Sequence, residues 1–492
     1  MQFVGSFRSD DRDWVFHGFF CMNRFLAKEY IFHHLRMCGG GNLLDSSGLH
    51  FCWGGESQAL SPQSASADLW ASVIFHPSDA DLGRIGAVCQ MQGKGDYSYD
   101  LEGHSDLGRL PLRTLHPYNT YWHSDGIPVV VDSQGRAVWL WVPAQNGGFL
   151  LIGSDFSNDV LRFRQGDPQK AVHPPTEQHW GIPGERPTYL YESQLNLSAP
   201  SIRYADFWVL TLATFLARTL GKPLSSVLPN NAVGAIVITG DDDQAFLEKY
   251  DEQLELLGDT PITYLLHPLT RHTQHSLRAM QKRNPFVDFG IHPDALEAPE
   301  RYGELFDQQI TWYRKLTGGT PASLRNHGFL NDGYWGHLDT WLKHGVCISS
   351  NLPGFDGRVL NGSLLPARMV WRGTLTPHWS VLTVIGDGVR FAGGMSDEDA
   401  AECVRNVADG IRQSGIPGVM VLNLHPQNVA ETRAMHHAAL EVIRSGFVAW
   451  NLRQCLDWFY SREGGPLIPS EDKPWLTRHW TSLCERLRGE LR

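Results

Sequence analysis

The feature that constrains this chain most is an alternation that begins after Asn231. Short apolar, β-branched runs recur at Ile236 to Thr239, Ile262 to Leu266, Val287 to Ile291, Ala322 to Leu324, Val346 to Ile348, Val381 to Ile385, Val419 to Leu424 and Phe447 to Ala449. Between them lie apolar sets at helical spacing, such as Phe246, Tyr250, Leu254 and Leu257. Parallel strands need a crossover connection, usually a helix, so this pattern builds βα units. About seven or eight units favour closure, which puts the chemistry at the C-terminal strand ends. The expected fold class is α/β: a distorted parallel (β/α) barrel of about seven strands, preceded by a separate N-terminal α/β or β-rich domain.

At 492 residues the chain is too long for one ordinary domain. Residues 1–195 are expected to form an accessory domain. Within it, Phe25 to Met37 has a helical pattern, Pro128 to Trp141 reads as a hairpin around Asp132 to Gly135, and Phe149 to Ile152 reads as a buried strand. Asp155 and Asp159 look like caps of the following helix. A Pro- and Gly-rich linker starts at about residue 165. Residues 196–230 are expected to hold a connecting helix capped by Ser201, residues 231–465 the barrel, and residues 466–492 a docking helix with Leu476, Trp480, Leu483 and Leu487 at helical spacing.

A net charge of -11 and the lack of a Lys/Arg run argue against nucleic acid as a partner. No window reaches the length of a membrane span, so no membrane partner is expected. Eight cysteines without a Cys-x-x-Cys pair suit reduced thiols. The N-terminus lacks the pattern of a signal peptide, and the expected location is cytoplasmic.

The first strand of the alternation ends in Asp241, Asp242 and Asp243. Three adjacent anions repel, so the site needs solvent, a cation or a base role; a solvated turn capping a helix is the plainer alternative. Other strand ends carry His267, His292 with Asp294, Arg325 with His327, Asn351 and His425. A carboxylate with imidazoles is a ligand set for zinc or a similar divalent ion. A second carboxylate can take a proton from water, a histidine can protonate a leaving amine, and an arginine can orient the base. Together these describe metal-assisted hydrolysis of an amide or ester.

Over roughly residues 232 to 460 the chain resembles the polysaccharide deacetylases, carbohydrate esterases built on a distorted β/α barrel. Thr239-Gly-Asp-Asp-Asp243 stands where that family has Thr-Phe-Asp-Asp-Gly. The match implies Asp241 as general base and Asp242 as metal ligand, with Asp243 in place of the glycine, near the substrate. Gly290 to Leu296 keeps the first histidine of the family's pair, His292, and has Leu296 at the second. Arg325 to Phe329 corresponds to the arginine motif, so Arg325 would orient the base. Leu422-Asn-Leu-His425 corresponds to the last motif, with His425 as catalytic acid and Leu424 walling the acyl pocket. For the lost second imidazole the candidate is His327, followed by Asp294, then His272 or His275.

The implied cofactor is one divalent ion, zinc foremost. The implied reaction is removal of an acyl group, acetyl foremost, from an N-acylated carbohydrate or related small amide. A non-catalytic carbohydrate-binding or assembly protein that keeps the barrel is the alternative. A glycosidase using the carboxylates is a weaker one, because it leaves the histidines without a role.

Overall fold

The computed structural model describes residues 22–54, 69–92, 99–105, 108–174, 184–194, 196, 199–354 and 356–463. The expected docking helix at 466–492 lies outside the described residues.

Seven parallel strands close on themselves: β10 (Ala235–Asp241), β11 (Ile262–Leu266), β12 (Val287–Ile291), β13 (Ser323–Leu324), β14 (Ile348–Pro353), β16 (Thr374–Gly386) and β17 (Val419–Asn423). Strand β17 pairs back onto β10, completing the expected barrel. A short strand, β18 (Val448–Trp450), pairs with the beginning of β10. Every residue of β10 is buried, which is why it reads as a continuous apolar run rather than an alternation. Gly290 in β12 is required by close approach: a Cβ there would fall 2.4 Å from Leu265 Cδ2 and from Ser323 Oγ. That contact draws β11, β12 and β13 together just before His292.

One element departs from the sequence pattern. Strand β16 starts at Thr374, well before Val381, and pairs antiparallel with β15 (Ala367–Trp371). The connection is Arg372-Gly373, with φ of 46° and 75°. Two left-handed residues suit a two-residue hairpin turn, but an arginine in the first position lacks the Asn-Gly or Asp-Gly signature.

The N-terminal part holds a nine-stranded mixed sheet in the order β1 (Leu49–Trp53), β2 (Trp70–Phe75), β9 (Gly147–Ile152), β8 (Ala137–Ala144), β7 (Ile127–Val131), β4 (Tyr99–Ser105), β5 (Gly108–Thr114). Strand β3 (Val88–Gln92) pairs with β6 (Asn119–Trp122), which pairs with β8. The β7–β8 hairpin turns at Asp132, whose carboxylate accepts from the Gln134 and Arg136 N–H groups at 2.9 Å. Asp159 is not a cap. It is buried in the first turn of the helix Phe156–Gln165 and accepts from Thr114, the Leu115 N–H and His116. Asp155 holds the N-cap position of that helix without a side-chain capping bond.

The connecting helix spans Tyr204–Thr219, with Arg203 rather than the exposed Ser201 at its N-cap. Its Asp206 is fully buried between Arg164 and Arg203 and accepts from Ser363 and the Leu364 N–H, which ties the helix to the barrel. Trp208 on the same helix packs on Trp139 of β8 at 5.2 Å. Val237, Leu265 and Val421 of the barrel join the same apolar core as these two rings. Ile236 and Ile238 belong instead to the layer formed with Tyr250 and Leu254 of the helix that follows β10. Among the described residues no helix is long and apolar enough to cross a membrane.

A buried polar latch joins the helix Arg24–Met37 to residue 463. His33, on that helix, lies 2.5 Å from Glu463 Oε1, and Arg368 Nη1 lies 3.2 Å from Oε2. Burial pushes the Glu463 carboxyl up, but His33 and Arg368 outweigh it and bring it from 4.5 down to about 2. A carboxylate with a depressed folded-state pKa contributes stability above its unfolded value and loses it as pH falls towards the folded one. Glu463→Gln should therefore destabilise the protein at neutral pH, with the difference from wild type shrinking as pH falls from about 4.5 towards 2. Urea unfolding of both proteins across that range reads this directly, and parallel stability–pH curves would refute it.

Candidate active site

The site is assembled at the C-terminal strand ends. Arg325 follows β13 and is fully buried. Its guanidinium donates to Asp241 Oδ1 at 2.7 Å, to Thr239 and Thr383 hydroxyls at 2.9 and 3.0 Å, and to the Ser350 carbonyl at 3.1 Å. Asp241 Oδ2 accepts from Asn423 at 2.9 Å. Burial pushes the Asp241 carboxyl up, but Arg325 beside it holds it below the usual carboxylate range. The result is an ionised, oriented carboxylate facing a cavity of about 200 Å³ lined by Asp241, Asp243, His292, His327, Asn423 and His425, among others.

The next two aspartates diverge. The Asp242 carboxylate accepts from the Tyr250 hydroxyl and from the His267 N–H at 3.2 Å. It does not line the cavity. Of the two, it is Asp243, expected near the substrate, and not Asp242, expected as a metal ligand, whose carboxylate lies with the His292 and His327 imidazoles. The reason is local geometry. Side chains alternate along an extended segment, so with Asp241 facing the cavity Asp242 faces away. The chain then turns at Asp243, whose φ is 37°. Aspartate tolerates this left-handed region better than most residues, and the resembled family has glycine there. The turn carries Asp243 Oδ1 to 3.2 Å from His292 Nε2 and 3.6 Å from His327 Nε2.

His292 is fully buried, and its Nδ1 lies 2.7 Å from the Arg325 carbonyl. A carbonyl only accepts, so Nδ1 carries a proton and Nε2 of the neutral ring keeps its lone pair. His292 Nε2 and Asp243 Oδ1 are both buried without an aligned hydrogen bond. Ligand atoms of Asp243, His292 and His327 lie within 4.8 Å of one another. Two imidazoles, one carboxylate and two orphaned buried atoms fit a divalent cation of the zinc type. The alternatives to His327 fare differently. Asp294 sits on the far side of His327. His272 pairs with Ser276 at 3.1 Å and packs on Tyr250, and His275 is exposed.

His425 also lines the cavity. Its Nδ1 lies 2.5 Å from Asp387 Oδ1, while its backbone N–H donates to Oδ2 at 2.8 Å. Nε2 then faces Asp243 Oδ2 at 3.4 Å and Asp241 Oδ2 at 3.7 Å. Burial pushes the imidazole down, but Asp387 and the two cavity carboxylates push it up to about 10. Asp387 was not anticipated. It follows β16 directly, so inspecting the residue after every strand, including Val381 to Ile385, would have found it. Asn423 was missed too, although it lies inside the quoted Leu-Asn-Leu-His run. Leu424 does not line the cavity: it is fully buried in the apolar layer outside the barrel, its N–H donating to the Thr239 carbonyl at 2.8 Å. Asn351 lies within β14, where it accepts from the Asn326 N–H at 2.9 Å.

No family model matches the chain, and no curated protein does. Solved structures similar to it include a protein named as a polysaccharide deacetylase from Mycobacterium smegmatis, 16% identical with a TM-score of 0.38 over 50% of this chain and 96% of that one. A peptidoglycan deacetylase from Bacillus subtilis is 12% identical with a TM-score of 0.32, over 48% and 96% of the two chains. A carbohydrate esterase family 4 pseudoenzyme from Bacillus anthracis is 11% identical with a TM-score of 0.31, over 46% and 66%. Over about half its length, then, this chain is similar to polysaccharide deacetylases and divergent from them.

Proposed function

We propose that the protein is a divalent-metal-dependent hydrolase that removes an acyl group, acetyl foremost, from an N-acylated carbohydrate or related amide. The observation that carries this reading is one cavity bounded by an Arg-held carboxylate, an Asp-held imidazole and the Asp243, His292 and His327 set. The last three would hold the ion, which when bound supplies a Lewis acid for the carbonyl and a lowered pKa for water. Asp241, ionised and fixed by Arg325, takes the proton of the attacking water. His425, kept protonated beside Asp387, delivers a proton to the departing nitrogen. The C–N bond breaks as the C–O bond forms, leaving a carboxylic acid and an amine. Asn423 donates to Asp241 and keeps its Oδ2 turned towards His425.

A carbohydrate substrate accords with the deacetylases this barrel resembles. The competing reading, a binding protein without turnover, is favoured by Leu296 at the position of the second histidine. Elemental analysis of the purified protein separates the two, together with acetate release from N-acetylated sugars. About one divalent ion per chain with acetate release supports the hydrolase. No ion after reconstitution with zinc overturns it.

A further inference from the structure

His327 is an unusual choice for a ligand. It sits in a single 3-10 turn, His327–Phe329, after a strand of two residues, and its side chain is 31% exposed. An imidazole in that setting has rotamer freedom, and an ion site loses affinity when a ligand must first be ordered. The chain supplies a support behind it. Asp294, two residues past His292, places Oδ1 3.3 Å from His327 Nδ1 and Oδ2 3.2 Å from His267 Nε2.

Asp294 is itself immobilised. Its N–H donates to Gln309 Oε1 at 3.0 Å, its carbonyl accepts from Gln309 Nε2 at 2.6 Å, and its Oδ1 accepts from the Leu296 N–H at 3.1 Å. His267 is 1% exposed, and its Nδ1 accepts from the Leu269 N–H at 3.1 Å. A nitrogen that accepts carries no proton, so in the neutral ring Nε2–H is the donor and points at Asp294.

The ligand atoms of His267, Asp294 and His327 lie close enough to suggest a second cation. The tautomer of His267 argues otherwise: a cation at its Nε2 would displace the proton that the Leu269 contact places there. The cluster is a chain of donors and acceptors instead.

We propose that Asp294 is a positioning residue for the ion site, holding His327 in the Nδ1–H tautomer with Nε2 turned towards Asp243 and His292, and held in turn by His267. This rests on the metal-dependent reading above. The Nδ1–Oδ1 contact is short of alignment as the ring stands, and His327 Nδ1 has no aligned hydrogen bond. Drawing Nε2 onto an ion and closing the bond to Asp294 are therefore coupled events. A carboxylate behind a ligating imidazole fixes the ring and raises its basicity, and its loss typically weakens metal binding about 10–100-fold.

The test uses the full chain, stripped with a chelator and titrated with zinc against a competing indicator. Parallel samples take cobalt(II), whose visible spectrum reports ligand geometry. Asp294→Asn keeps the volume but presents one acceptor instead of two. The expected result is zinc binding weaker by about 10–100-fold and an altered cobalt spectrum, with the melting temperature of the stripped protein unchanged. His267→Ala, which leaves Asp294 in place, should give a smaller loss in the same direction, and the double variant should be no worse than Asp294→Asn. Wild-type affinity and spectrum in Asp294→Asn would overturn the positioning role while leaving the metal-dependent reading intact. Wild-type protein that binds neither ion would overturn both. Should Asp294→Asn fail to fold, His267→Ala decides: unchanged affinity and spectrum overturn the relay, and a loss supports it.

Discussion

Replacing Asp241 with asparagine should lower the proposed acyl hydrolysis by about 10²–10⁴-fold, the usual worth of a positioned general base. The amide cannot take the proton, yet it keeps the shape that Arg325 and Asn423 surround. The Arg325 charge then lies buried beside a neutral group, a loss on the order of 3–5 kcal/mol. Rates are therefore compared where circular dichroism reports a folded variant. His425→Asn gives an independent reading, because asparagine still offers Asp387 a donor but transfers no proton. Acetate release from N-acetylated sugar, at saturating zinc, is the measurement. A folded variant of either kind that keeps wild-type turnover removes that residue from the chemistry.

The second large effect separates neighbouring aspartates. Asp243→Ala should abolish retention of the divalent ion through gel filtration, whereas Asp242→Ala should retain it. The reason is in the partners: Asp243 Oδ1 lies with the His292 and His327 imidazoles, while Asp242 accepts from Tyr250 and the His267 backbone. Asp242→Ala instead leaves a buried tyrosine hydroxyl and a buried N–H without an acceptor, which costs about 1–3 kcal/mol each. Metal analysis and thermal unfolding of both variants read the two effects separately. Ion loss in Asp242→Ala at full folding would return the ligand role to that residue.

The barrel was legible because its signal is repetitive. Each apolar run and each amphipathic stretch restates the same βα unit, and an error in one leaves the others standing. The β15–β16 hairpin was not legible, since Arg372-Gly373 lacks the turn chemistry a reader looks for. The site divided along a similar line. That Arg325, Asp241, His292 and His425 come together was legible because each lies at a strand end, where backbone position alone brings a residue to the mouth. The choice between Asp242 and Asp243 was out of reach, because it depends on one φ angle just past the end of β10. Leu424 lies away from the cavity for a related reason: of Asn423, Leu424 and His425, alternation sends the outer two inward and the middle one into the apolar layer.

The left-handed backbone at Asp243 sets the proposed function against durability. Glycine would occupy the same turn without the steric penalty of a Cβ, a relief of about 1 kcal/mol. It would also remove one carboxylate from a pocket that already holds Asp241. A laboratory selection for thermal resistance alone would thus drift towards Asp243→Gly and discard the proposed ligand. If Asp243 holds an ion, an aspartate at this turn keeps the proposed site at the expense of a more relaxed fold, the trade that separates a functional protein from its most stable sequence.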